Sequence, residues 1–290
     1  MTTDTIDANG NTTSSGGVTN TYDFENRMTA HGSTTMVYDG DGNRVSETVG
    51  GATTKYLVDT QNPTGLPQVL DETVNGSVTR TYAYGLQRIS ENQLVGSTWT
   101  PSFYGYDGHG NVSFLTSSAG TVNETYQYDA FGRLIAISGT TANNFLYSGE
   151  QFDSSLSSVG LYNLRARYYN QSTGRFWSRD PIEGKQCCGL SWNPYIYVND
   201  NPVNGVDPTG REGLWEYTVL LRNRATVATV FGAKTYVCLV DALEHLVGAF
   251  SALSSETSVP ADDKDIGKKL RKCEGDASKS LLGIVVGHVQ

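Results

Sequence analysis

The sequence is poor in charged residues and in cysteine. Only 18% of its 290 residues are charged, and their balance gives a net charge of -9, which argues against nucleic acid as a primary partner and against an anionic membrane surface. The four cysteines match neither a zinc-ligand spacing nor the density of a disulfide scaffold. No metal or other cofactor is therefore expected.

Two further features are missing at the ends of the chain. The first residues lack the basic and apolar regions of a secretion leader. Residues 1–19 are instead rich in Thr, Ser, Gly and Asn, which predicts disorder or a frayed first strand. The C-terminal part lacks an uncharged apolar run of about 18 residues, so no transmembrane span is predicted.

What the sequence has in abundance is glycine and tyrosine, with 32 and 17 copies. A Tyr-Asp motif recurs between about residues 20 and 150, and runs of alternating Thr, Val, Tyr and Leu between its copies predict strands. The pair Asn75-Gly76 predicts a hairpin turn. The fold class is therefore mainly β, built from repeated hairpins that need neighbours. The clear copies begin at Tyr22, Tyr38, Tyr106 and Tyr128, and weaker ones at Tyr56 and Tyr82.

The turn after Tyr38 is acidic enough to raise the question of calcium. The run from Asp39 to Asn43 resembles the opening of a calcium loop, but no later glutamate stands at the bidentate position, so the match is poor. In each copy a glycine is expected to supply a positive φ, and the aspartate to cap the turn. His31 and His109 are placed on loops without evident partners.

The segment from Leu161 to Gly210 concentrates the functional chemistry. It holds two Asp-Pro pairs, at Asp180 and Asp207, and arginines at 165, 167, 175 and 179. If folding brings both aspartates together, they would share a proton, so that one acts as base and the other as acid on a peptide bond. The alternative is structural, because Asp-Pro-Thr-Gly also fits a type I turn.

The same segment resembles the RHS repeat-associated core domain. The resemblance is carried by YNLRARYY from Tyr162, GRF from Gly174, RDP from Arg179, YIY from Tyr195, NPVN from Asn201 and DPTG from Asp207. The upstream half resembles the Tyr-Asp (YD) repeats of that family. The resemblance implies an antiparallel sheet wound into a shell or partial barrel, and a longer parent chain that is secreted or on the cell surface.

The family also implies chemistry. In the C subunits of insecticidal Tc toxin complexes, the core domain cuts its own chain and frees a variable C-terminal segment. The matching catalytic residues here are Arg167, Asp180 and Asp207. The family cuts after a Leu, but Arg stands at that position, so the implied bond is Arg211 to Glu212. A cut between Leu214 and Trp215 is ranked second.

The predicted organisation has four parts: residues 1–19, YD repeats at 20–150, the core domain at 151–211, and a variable segment at 212–290 that would be the enclosed cargo. A helix is predicted over about 234–252, and His245 and His288 are assigned to the surface. Cys187 and Cys188 lie in a loop between the two aspartates. A further shell or secretion-system component is a predicted partner.

Two functions remain open from the sequence. The first is a single-turnover, self-cleaving aspartic peptidase inside a bacterial shell that releases a polymorphic toxin segment. The second is a structural or adhesion module, in which the aspartates only form turns and caps.

Overall fold

The fold was analysed in a computed structural model, which describes residues 4–156, 160–183, 189–211 and 214–215. Fourteen antiparallel strands form one sheet in which each strand pairs with its neighbours in the sequence. The strands are β1 (Thr5–Ile6), β2 (Thr12–Ser15), β3 (Val18–Tyr22), β4 (Met28–His31), β5 (Thr34–Tyr38), β6 (Arg44–Val49), β7 (Ala52–Asp59), β8 (Gln68–Val74), β9 (Ser77–Tyr84), β10 (Arg88–Val95), β11 (Thr98–Tyr106), β12 (Val112–Thr116), β13 (Val122–Tyr128) and β14 (Leu134–Ser138).

The later part of the chain forms two smaller sheets and three short 3-10 turns. The strands are β15 (Gln151–Asp153), β16 (Leu161–Leu164), β17 (Arg167–Asn170), β18 (Arg175–Phe176), β19 (Gly205–Val206) and β20 (Leu214–Trp215), and the turns are Tyr147–Gly149, Gly189–Trp192 and Val198–Asp200. The prediction of a mainly β fold with antiparallel YD repeats is confirmed. Within the described residues the large sheet is open, since β1 and β14 each pair with one neighbour.

Each Tyr-Asp pair ends a strand and begins a tight turn that the aspartate stabilises. In the Asp39 turn, Oδ1 accepts the N–H groups of Asp41 at 3.0 Å and Asn43 at 2.8 Å. Gly42 has a φ of 86°, a left-handed conformation that costs glycine little. The predicted roles of aspartate and glycine are confirmed here. The same pair of bonds recurs at Asp7, Asp23, Asp107 and Asp129.

The tyrosine of the motif connects one repeat to the previous one. Its hydroxyl donates to a backbone carbonyl at or near the start of the preceding strand, at 2.7 to 3.0 Å. Each of these hydroxyls is partly buried, and the backbone carbonyl gives it a hydrogen-bond partner within the protein. The donor and acceptor pairs are Tyr22 with Thr12, Tyr38 with Met28, Tyr84 with Val69, Tyr106 with Arg88 and Tyr128 with Val112.

The hairpin at Asn75-Gly76 forms as predicted. Val74 pairs with Ser77, and both turn residues have positive φ, 52° and 81°, as a type I′ turn requires.

Strands β1, β2 and part of β3 lie in the segment for which composition predicted disorder or a frayed strand. Asn11 is buried, and its side chain donates to Asp7 at 3.0 Å and Asn26 at 2.8 Å. The N–H of Thr12 donates to the carbonyl of Trp177 at 2.8 Å. The order comes from a partner far along the chain, which local composition does not reveal.

The segment after β14 packs on one face of the large sheet. One cluster joins Val112 and Leu115 of the sheet to Tyr162, Tyr169 and Tyr197. A second joins Met28 and Met36 to Leu156, Leu161, Tyr168 and Trp177. A bidentate ion pair ties the two layers, because Arg44 of β6 binds both carboxylate oxygens of Asp153 in β15, at 2.5 and 3.0 Å.

The covered face of the sheet also carries buried carboxylates. Glu47, Glu72 and Glu91 are each less than a tenth exposed, and a tyrosine hydroxyl donates to each, from Tyr56 at 3.2 Å, Tyr82 at 2.7 Å and Tyr104 at 3.0 Å respectively. Burial raises the pKa of Glu47 to about 7, with Asp153 adding to the effect and Arg44 opposing it.

No helix among the described residues is long and apolar enough to cross a membrane. The predicted helix at about 234–252, the cysteines at 187 and 188, and the histidines at 245 and 288 lie outside the described residues.

Candidate functional site

Arg167 is the centre of the candidate site. It opens β17 directly after a two-residue turn, since Leu164 pairs with Arg167 across the β16–β17 hairpin. Its side chain is almost fully buried, and the guanidinium carbon lies 3.6 Å from the centre of the Phe176 ring, a cation–π contact that holds the plane of the group.

Both predicted aspartates meet at this guanidinium. Nη2 of Arg167 lies 2.7 Å from Oδ2 of Asp180 and 3.6 Å from Oδ2 of Asp207. The Asp207 side chain is 2% exposed and that of Asp180 is 17% exposed. The three residues come from β17, from the loop after β18 and from the turn after β19, so the fold assembles them from separate elements.

Burial shifts the protonation of this cluster. It raises the pKa of Asp180, and the opposing attraction of Arg167 does not fully cancel the effect. Burial also lowers the pKa of Arg167 although both aspartates favour its charged form. A carboxyl with a raised pKa beside a second carboxylate has the properties of a general acid.

The turn that contains Asp207 is held by three successive residues of the hairpin. The guanidinium of Arg165 donates to the carbonyl of Pro208, the N–H of Ala166 donates to Thr209 at 3.3 Å, and Nε of Arg167 donates to the carbonyl of Gly210. The backbone that leads to the predicted cleavage position is thereby fixed at three consecutive carbonyls.

Arg165 is itself oriented by a buried carboxylate. Glu150 lies 2.9 Å from Nη1 of Arg165, and burial raises the pKa of Glu150 while Arg165 lowers it. Sequence reasoning placed Arg165 in an arginine cluster without assigning this contact, and it did not single out Glu150. Arg175, from the same cluster, lies elsewhere and pairs with Asp200.

The predicted cleavage position adjoins Asp207. The N–H of Arg211 donates to Oδ1 of Asp207 at 3.2 Å. Beyond it, β20 pairs with β19, so that Leu214 lies opposite Val206 and Trp215 opposite Gly205. Arg211 therefore follows the turn of the second aspartate, on the side that leads from β19 towards β20. Glu212 lies outside the described residues.

A cleft of about 890 Å³ opens next to these groups. One wall is formed by Arg167, Asp180 and Arg211, and the other by turns of the first YD repeats, including Arg27 and Asp41. Turn residues of the repeats thus share the cleft lining with Arg167 and Asp180, whereas Asp207 is not part of that lining.

The candidate calcium loop and the two histidines have protein partners. Oδ2 of Asp39 accepts the side-chain N–H of Asn43 at 3.0 Å, and no group of three metal-binding side chains occurs in the described part of the chain. The interpretation that His31 and His109 lack partners is wrong, and so is the loop placement of His31, whereas His109 does stand in a turn, between β11 and β12. His31 lies in β4 near Trp177 with Nδ1 2.7 Å from Asn20, and the ring of His109 stacks on Tyr147.

Comparison with known proteins identifies the repeats. The family model described as RHS Repeat matches residues 106–143. The tRNA3(Ser)-specific nuclease WapA of Bacillus spizizenii is 36% identical over 226 residues, which cover 74% of this chain and 9% of the relative. The tRNA nuclease WapA of Bacillus subtilis is also 36% identical, over 224 residues, with 74% and 9% covered. The chain thus spans about a tenth of these relatives.

Solved structures share the fold. The crystal structure of TcdB2-TccC3 aligns with a TM-score of 0.55 at 18% identity, covering 71% of this chain and 11% of that one. The Photorhabdus luminescens Tc holotoxin pore aligns with a TM-score of 0.53 at 17% identity, covering 71% and 11%. These structures show the shared fold, and the RHS Repeat match, the two WapA relatives and the repeated Tyr-Asp turns show that the chain belongs to the RHS/YD-repeat proteins.

Proposed function

We propose that this chain is the closing part of an RHS shell and that it cuts its own backbone between Arg211 and Glu212. The observation that carries the proposal is the convergence of Arg167, Asp180 and Asp207. Asp207 also holds the N–H of Arg211, the residue whose carbonyl carbon would be attacked. The segment from residue 212 onward would be the released cargo.

The residues fit a hydrolysis in which one water is consumed. Asp207, the more buried carboxylate, takes a proton from a water that enters past Asp180, which lines the cleft whereas Asp207 does not, and the resulting hydroxide attacks the carbonyl carbon of Arg211. Asp180, whose pKa burial raises, would be the member of the pair that holds a proton and gives it to the departing nitrogen of Glu212. The new carboxylic acid at Arg211 passes its proton to the amine, so the products are a carboxylate at Arg211 and an ammonium group at Glu212, and each chain reacts once.

Intramolecular attack removes the need for strong substrate binding. The cleavage position follows Asp207 by four residues in the same turn, so the reacting groups share one rigid frame and gain the advantage of proximity. Arg167 orients both carboxylates with fixed donors. It also binds the carbonyl of Gly210, one residue before the bond to be cut.

The biological setting is proposed from the relatives. The WapA proteins are named as tRNA nucleases, and we propose that the segment at 212–290 is likewise a toxin released from a secreted or cell-surface parent. A further shell or secretion component would be the partner of the repeats. Growth arrest of cells that express residues 212–290 alone would support a toxin, and unimpaired growth would count against it.

A structural role for the aspartates is the second candidate, and one observation favours it. Oδ1 of Asp207 accepts the N–H four residues later, as the aspartates of the YD turns do. Asp207 could then be a turn residue with no reaction, in a module for shell building or adhesion.

Intact-mass spectrometry of the denatured, purified chain separates the two. The parent is compared with Asp180→Asn and Asp207→Asn, and with Asp129→Asn as a matched control. Asp129 forms the same turn bonds away from the site. We expect a fragment that ends at Arg211 in the parent and the control, and a single full-length mass in the two site variants. A full-length mass in the parent would leave the structural module as the better account.

A further inference from the structure

His109 connects a YD turn to the hairpin that carries Asp207. It stands in the turn from Asp107 to Asn111, and its ring stacks on Tyr147 with 5.5 Å between centroids. Nε2 lies 3.3 Å from the carbonyl oxygen of Gly205, and Nδ1 lies 3.3 Å from Oδ1 of Asn111. The ring therefore bridges two segments that are 96 residues apart.

Both neighbours of the ring are hydrogen-bond acceptors. The side-chain nitrogen of Asn111 donates to Oδ2 of Asp107 at 2.8 Å, and its Oδ1 accepts the N–H of Ser148 at 2.8 Å. These two bonds fix the orientation of the amide, so the atom that faces Nδ1 of His109 is an oxygen. The Gly205 carbonyl can only accept.

A neutral imidazole carries one N–H, whereas the imidazolium carries two. Only the protonated ring can therefore donate to Asn111 and Gly205 together. Three elements around the ring each carry an ionisable residue. Asp107 lies in the same turn as His109, Tyr147 lies in the 3-10 turn that stacks on the ring, and Asp207 follows Gly205 by two positions on the hairpin.

We propose that His109 is a positioning residue for the self-cleavage reaction, and that its protonation fixes the start of β19 and hence the place of Asp207. This inference rests on the proposed function for its consequence, but the contact itself can be tested without cleavage. Gain of the second bond on acidification tightens the β19–β20 hairpin, and loss of the proton loosens it.

The first test measures amide hydrogen exchange of Gly205 and Val206 in an Asp180→Asn full-length chain, which is not expected to cut itself. Rates are corrected for intrinsic exchange at about pH 5.5 and about pH 8, values that bracket the range in which histidine side chains in general change charge. We expect protection to fall about tenfold between these values, the lower end of what a hydrogen bond to a charged group contributes. Because Glu47 lowers the stability of the whole fold over the same pH range, protection is expressed relative to that of β6 and β7 in the same chain. On this scale, adding His109→Gln should remove the pH dependence, and adding His288→Gln, the control, should keep it.

Protection in β6 and β7 shows that each variant is folded, and His109→Asn serves as a second variant if the first is not. Equal protection of Gly205 and Val206 at both pH values in the Asp180→Asn chain would overturn the proposal. So would the same pH dependence in the His109 variants.

The second test follows the cleavage rate of the otherwise unmodified chain against pH. We expect a faster reaction at about pH 5.5 than at about pH 8, and loss of this difference in His109→Gln. If this chain is never cut while exchange depends on His109, the proposed function fails and the positioning contact stands. If it is cut with an unchanged profile in His109→Gln, the contact fails as a positioning device and the proposed function stands.

Discussion

Replacing Gly210 by Ala would test the geometry of the candidate site directly. Gly210 has a φ of 67° and follows Asp207 in the turn. A Cβ at this position would overlap the carbonyl oxygen of Leu164 and lie 3.1 Å from the backbone nitrogen of Arg167. Both atoms belong to the hairpin that holds the turn, so the added methyl group would push the turn away from its anchor.

Two costs add for this substitution. The left-handed conformation costs a non-glycine residue roughly 1–2 kcal/mol, and overpacking against backbone atoms costs roughly 1–3 kcal/mol more. Because the clash is with backbone rather than with a mobile side chain, we expect a displacement of about 1 Å, which lowers the rate of a positioned reaction by about a hundredfold. We therefore expect a destabilised but folded chain that cuts itself far more slowly.

The assay is the fraction of cut chain against time after refolding, measured by intact mass, with urea unfolding in parallel. Gly120→Ala is the matched control, since Gly120 has a φ of 78° and no atom within 4 Å of its Cβ position. It should lose stability from strain alone and keep the parental rate. Parental cleavage in Gly210→Ala would refute the idea that the anchored turn places the reacting bond.

Two predictions concern the sheet. The pKa of Glu47 is raised to about 7, so the folded state holds a proton that the unfolded state releases at lower pH, and the unfolding free energy falls as pH rises towards 7. Glu47→Gln should remove most of that loss, so the variant should gain about 2–3 kcal/mol of unfolding free energy over the parent on going from pH 5 to pH 8. If urea unfolding gives the same difference between the two pH values in variant and parent, the assignment is contradicted. Tyr128→Phe removes the bond to Val112 and should cost about 1 kcal/mol, measured by urea unfolding at pH 7; no loss would show that the YD tyrosine serves only for packing.

The repeats were predictable because their rules are local. A strand that ends in Tyr-Asp, followed by a glycine or asparagine three residues after the aspartate, specifies its own turn through bonds within five residues. The copy at Asp7 was missed because Ile6 replaces the tyrosine, although the Asp-Ala-Asn-Gly-Asn spacing after it is the same. A search on the aspartate and glycine alone would have found it.

The site was predictable in its residues but not in its contacts. Resemblance identified Arg167, Asp180 and Asp207, and in the fold both aspartates contact the guanidinium of Arg167. The anchoring by Arg165 and Glu150 left no mark in the sequence, because Pro208 takes part through a backbone carbonyl, which every residue possesses.

The sequence by itself determined the β repeats, their turns and the choice of Arg167, Asp180 and Asp207 as site residues, since each follows from neighbouring residues or from a motif. Only the tertiary structure decided which distant groups meet. His109 contacts Gly205, Arg44 contacts Asp153, and Thr12 pairs with Trp177, all across long stretches of chain. Such contacts depend on how the later segment packs over the sheet, and burial there shifts the pKa of Asp180.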